Sequence, residues 1–83
     1  MRFISYLQDG QLTVALTGEI DHHCAKKLCE KIDFKIAVEK PSVVALDFSG
    51  VTFMDSSGLA VVVGRKKTCD RYGAEVFITN ISG

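Results

Sequence analysis

The sequence predicts an α/β domain: a small mixed β-sheet in the order β-β-α-β-α-β, with helices packed on it. Three observations carry this expectation. Asp9-Gly10 lies between two short strand-like segments, two later segments change to a helical apolar period, and each of those is followed by a nearly continuous apolar run.

Residues 3–8 and 11–17 flank Asp9-Gly10, and a two-residue Asp-Gly loop suits a type I′ turn, so the pair reads as a β-hairpin. The second strand alternates, with Leu12, Val14 and Leu16 on one face and Gln11, Thr13 and Thr17 on the other. Gly18 is expected to break it, and Asp21 offers an N-cap. From residue 22 to about 39 the period is helical: Ala25, Leu28, Cys29, Ile32 and Ile36 form one stripe, and Lys26, Lys27, Glu30 and Lys31 point away from it. Phe34 does not fit, because it projects from the polar side. Lys40-Pro41 ends the helix, since proline disfavours helical geometry in the residue before it.

Residues 42–48 follow as a strand with almost no alternation, which suggests burial on both faces, as in a parallel strand covered by helices. Residues 49–55 read as a loop. A second helix starts at Ser56 or Ser57 and ends at Gly73, where glycine suits the position after a helix. Its first turns are apolar nearly all round, at Leu59, Val61, Val62 and Val63; its later turns carry Arg65, Lys66, Lys67, Asp70 and Arg71. Residues 74–79 make the last strand. Two strand–helix–strand units imply right-handed crossovers.

At 83 residues and 47% hydrophobic, the chain holds one core, a single domain over residues 1–83. Ten Lys+Arg balance ten Asp+Glu, without the basic excess that a dedicated nucleic-acid binder shows. The longest apolar run, residues 59–63, falls far short of the ~20 a membrane helix needs, and Met1-Arg2-Phe3 opens no signal peptide. Three irregularly spaced cysteines, Cys24, Cys29 and Cys69, imply no disulfide framework. A cytoplasmic protein with reduced thiols is expected.

Chemistry concentrates at Asp55-Ser56-Ser57-Gly58, at the mouth of the second helix, where free backbone N–H groups and the helix dipole favour negative charge. Helix capping, an anion site and a phosphorylatable serine all fit those residues. A serine nucleophile does not: the G-x-S-x-G elbow is absent, and the only histidines are His22 and His23. Those histidines, with Cys24 and Cys29, offer metal-ligand types but no spacing that closes a tetrahedral site, so no metal or cofactor is expected. Arg65-Lys66-Lys67 reads as a solvated helix face.

Leu16-Thr17-Gly18-Glu19-Ile20-Asp21-His22-His23, then Leu46-Asp47-Phe48, then Phe53-Met54-Asp55-Ser56-Ser57-Gly58-Leu59 resemble the STAS domain of bacterial anti-sigma factor antagonists, its sporulation branch above all. The resemblance runs over residues 3–83. It implies a partner-switching binding module rather than an enzyme. In that family the unphosphorylated form binds an anti-sigma factor that is also a serine kinase, which releases a sigma factor for transcription. The kinase phosphorylates the second serine of Asp-Ser-Ser-Gly, here Ser57, and a PP2C-type phosphatase restores the active form. Asp55, Ser56 and Gly58 would flank the phosphosite, and Asp21 would lie beside them on the docking surface.

The family ordinarily continues through further helices after the last strand here, so a C-terminally shortened domain is expected. Its sheet should be left partly apolar at Val76, Phe77 and Ile78, inviting self-association. Phe34 has no explanation in the family pattern. The competing reading is a STAS module of another assembly, of stressosome or transporter type, binding protein partners.

Overall fold

The structure is a computed structural model and describes residues 2–80. Its elements follow in the order β1 (Arg2–Gln8), β2 (Gln11–Ile20), α1 (His22–Glu39), β3 (Val43–Met54), α2 (Ser57–Tyr72) and β4 (Glu75–Thr79). The β-β-α-β-α-β order expected from the sequence is the order found. The sheet runs β1-β2-β3-β4, antiparallel between β1 and β2 and parallel across the other two junctions.

The hairpin turn has the conformation its residues favour: Asp9 at φ 53° and Gly10 at φ 81° give the two positive angles of a type I′ turn. Both crossovers step the same way along the sheet, so right-handed connections place α1 and α2 on one face, where they pack against each other. The core fills the space beneath them. Leu12, Val14, Leu16 and Ile20 of β2 and Val44, Leu46 and Phe48 of β3 meet Ala25, Leu28, Ile32 and Ile36 of α1 and Val61 and Cys69 of α2. Cys29, placed on the α1 stripe by its spacing, is half-buried at the margin. The helix stops at Glu39 because Lys40, before Pro41, takes the left-handed conformation (φ 49°) and donates its N–H to Ile36 O.

The structure corrects several expectations. Gly18 does not break β2: the strand runs on to Ile20, absorbing Gly18 (φ 94°) through register shifts at Ala15/Thr17 and Gly18/Glu19. Residues 49–54 are not a loop but the second half of β3, paired in parallel with that extension of β2. Gly50 permits the close approach, since a Cβ there would meet Thr17 Cγ2 at 2.6 Å and Leu16 O at 2.8 Å. Arg65 is not on a solvated face. It is 5% exposed and turned against α1, while Lys66 and Lys67 do face solvent.

The other face of the sheet carries no helix among the described residues. Register places Tyr6, Thr13, Ala45 and Phe77 in one row across the four strands on that face. Of the three residues expected to be exposed on β4, only Phe77 is open, at 43%; Val76 and Ile78 are half-buried against the core.

Candidate functional site

The site is built by the ends of two adjacent parallel strands. Ile20 of β2 pairs with Met54 of β3, and the Asp55 N–H donates to Ile20 O at 3.2 Å. Asp21 and Asp55 therefore leave the sheet side by side at the carboxyl ends of β2 and β3, the edge at which open α/β sheets bind their ligands. The long β2 and β3 that the sequence hid are what bring them there.

Asp21 is the N-cap of α1. Its Oδ1 accepts from His23 N at 3.0 Å and Cys24 N at 3.1 Å, and Cys24 Sγ closes the box by accepting from the Asp21 N–H at 3.5 Å. The Cys24 N–H above all holds the Asp21 carboxyl below its ordinary value of 3.8, although burial opposes it. A permanent negative charge stands at this corner.

Asp55 does the capping work at α2. Its Oδ1 accepts from Ser57 N at 2.8 Å, and its carbonyl accepts from Gly58 N at 2.9 Å. Ser56, formally the N-cap, has a helical φ of −60° and makes no side-chain cap bond, so its hydroxyl stays exposed. Ser57 is the first residue of α2 and half-buried. No hydrogen bond of its hydroxyl is found among the described residues, which leaves Oγ available for chemistry. Gly58 is buried because Met54 packs where a side chain would go; a Cβ would collide with Met54 Cγ and Sδ. All five residues singled out in the sequence, Asp21, Asp55, Ser56, Ser57 and Gly58, thus lie at one corner of the fold.

Flanking the corner are Phe53, Leu59 and Val63, exposed at 54, 63 and 53%. The sequence leaves their exposure open: Phe53 falls in the stretch read as a loop, and Leu59 and Val63 in helical turns that are apolar nearly all round. The signal lies in the number of apolar residues there: Val61 is buried and Val62 packs against the core beside it, and Leu59 and Val63 are left outside.

His22 and His23 begin α1 with rings 4.1 Å apart, both exposed. Among the described residues no group of three or more His, Cys, Asp or Glu is arranged to hold a metal ion, and no helix is long and apolar enough to cross a membrane. Cys24, Cys29 and Cys69 are free thiols.

The family model for the STAS domain matches residues 3–83. The chain belongs to the STAS domain family. One relative is the anti-sigma F factor antagonist of Paenibacillus polymyxa, 34% identical over 73 residues, covering 88% of this chain and 62% of that protein. Another, the anti-sigma F factor antagonist of Lysinibacillus sphaericus, is 30% identical and covered over 61% of its length, so this STAS chain spans about three-fifths of the curated relatives it matches. Among solved structures it is similar to the anti-sigma factor antagonist SpoIIAA in its unphosphorylated form, with TM-score 0.80 and 26% identity over 99% of this chain and 76% of that one. The Bacillus cell fate determinant SpoIIAA in the phosphorylated form matches almost as well, with TM-score 0.78 and 27% identity over 98% of this chain and 74% of the other.

Proposed function

We propose that this STAS domain, one domain over residues 1–83, is an anti-sigma factor antagonist that works by binding rather than by catalysis. Unphosphorylated, it engages an anti-sigma factor that is also a serine kinase and so frees a sigma factor for transcription. The kinase transfers a phosphoryl group to Ser57 Oγ and the complex separates; a PP2C-type phosphatase reverses the modification. The cytoplasm is where these partners meet. Self-association belongs to the same reading, through the open sheet face bearing Tyr6 and Phe77.

The observation that carries the reading is the seating of Ser57. It opens α2, with its backbone N–H on Asp55 and with Asp21 emerging from the neighbouring strand. Phosphate brings roughly −1.5 to −2 charges, and a helix N-terminus tolerates these locally through its free N–H groups and dipole. The fold therefore stays as it is, in keeping with the near-equal match to both forms of SpoIIAA. The cost falls on docking. The surface is already acidic at Asp21 and Asp55, and a partner must desolvate the phosphate and oppose any carboxylate of its own to it. At an effective dielectric near 20, two charges about 7 Å from one carboxylate cost up to ~5 kcal/mol, less with exposure and salt. About 2.7 kcal/mol is already ~100-fold in affinity, so half of that repulsion comes close to switching the complex off.

A pull-down against an anti-sigma serine kinase tests the reading. Capture without ATP and release with ATP are expected; capture indifferent to ATP, or none, contradicts it.

A further inference from the structure

A groove runs between β1 and α1, away from the Ser57 corner. Two recesses, of about 370 and about 330 Å³, share Phe3 and Lys31 and so form one channel. Phe3 is its half-buried floor, and Phe34 stands at its rim, 68% exposed. This is the aromatic that the α1 periodicity leaves unexplained.

The charge of the groove is one-sided. Arg2, Lys27, Lys31 and Lys35 line it against a single carboxylate, Glu30, in a chain whose formal net charge is zero. Among the described residues the ion pairs are Arg65–Asp33 and Lys66–Asp70, so none of these four cations is held in an ion pair there. Lys27, Lys31 and Lys35 recur every four residues, about 6 Å along the helix. Alternate side chains of a β-strand recur at about 6.6 Å, nearly the same step.

The groove's other wall is the start of a sheet edge, Arg2 and Phe3 of β1. β1 is terminal in the sheet, so its outer side has no strand partner among the described residues. α1 returns antiparallel to β2, as does β1, so helix and edge strand run the same way. A strand added to β1 would lie along the channel. Every second side chain would face the lysines, and the aliphatic stems of those side chains would lie against Phe3 and Phe34. A flat lipid surface would touch Phe34 but not the recessed Phe3.

We infer that the groove between β1 and α1 binds an extended acidic segment of a partner protein as an added strand, its alternate carboxylates facing Lys27, Lys31 and Lys35. Backbone pairing supplies affinity and the lysine stripe selects acidic sequences. The site is separate from Ser57, so it stands whether or not Ser57 is a switch.

The probe is a fluorescein-labelled peptide alternating Glu with Val, of the same length as β1. Saturable binding is expected, with amide shifts along residues 2–8 and 27–35. Lys27→Glu with Lys31→Glu, both exposed, should weaken it at least about tenfold, as should proline at two adjacent central positions of the peptide, one of which must donate its N–H to β1 in either register. Added salt should weaken it too. No binding overturns the inference, as does binding indifferent to the charge reversal or to the proline. Amide shifts centred on residues 55–58 overturn it as well. Lysine-dependent sedimentation with phosphatidylserine vesicles, without peptide binding, would assign the groove to lipid instead.

Discussion

Arg65 of α2 grips Asp33 of α1 at two points, Nε to Oδ1 at 2.7 Å and Nη2 to Oδ2 at 3.1 Å. Its remaining terminal nitrogen, Nη1, donates to Val61 O at 3.3 Å. The guanidinium side chain is 6% exposed and the Asp33 side chain 37%, so the pair sits at the edge of the core, where α1 and α2 meet. A two-point guanidinium–carboxylate bond fixes orientation as well as distance, which sets how α2 lies on the sheet.

Removing one partner leaves the other charge stranded. Complete burial would make that cost 3–5 kcal/mol, and the open side of Asp33 lowers it, so Asp33→Ala should lose about 2 kcal/mol in a urea melt. Asp33→Leu combined with Arg65→Met should recover most of the loss, because an apolar pair needs no desolvation. A single variant as stable as the parent would show the pair to be ornamental.

Acid should weaken the cap at Asp21. Its folded carboxyl titrates below the unfolded value of 3.8, so its contribution is complete above that value and disappears as pH falls through the folded one. Asn retains the cap oxygen without titrating. Asp21→Asn should therefore flatten part of the low-pH loss of stability, leaving the part due to Asp47, which the Ser49 N–H also holds low. A stability–pH curve identical to the parent's between pH 2 and pH 5 (about the window of both carboxylates) would contradict this.

Gly58→Ala should destabilise despite alanine's better helix propensity. The propensity gain is about 1 kcal/mol, against overpacking costs of 1–3 kcal/mol where the new methyl meets Met54, so a net loss of about 1 kcal/mol is expected. The same change in a Met54→Ala background should be neutral or stabilising. Equal effects in both backgrounds would mean that Met54 is not the obstacle.

Ser57→Asp places a carboxylate where phosphate would go. Binding to the anti-sigma kinase should fall below detection while the circular dichroism spectrum stays unchanged, since the N-terminus of α2 accepts the charge. Retained affinity would separate charge at Ser57 from docking.

Much of this was legible in the residues. Alternation at Leu12, Val14 and Leu16, the Asp9-Gly10 turn and the α1 stripe give the elements, and Asp21 and Asp55–Gly58 give the corner. What stayed hidden has one physical cause: pairing with a neighbour outweighs local pattern. Gly18 and Ser49-Gly50 interrupt the strand pattern, yet the segments beyond them supply each other's ladder partners. Arg65 reads as solvated because nothing in the chain around it indicates that Asp33, 32 residues earlier, waits on the facing helix.

The most direct test of the switch is intact-mass analysis of the parent and Ser57→Ala after incubation with the anti-sigma kinase and ATP. The parent should gain a single phosphate and Ser57→Ala none, although it still binds the kinase. If Ser57→Ala is phosphorylated as fully as the parent, Ser57 is not the site, and the exposed Ser56 takes its place.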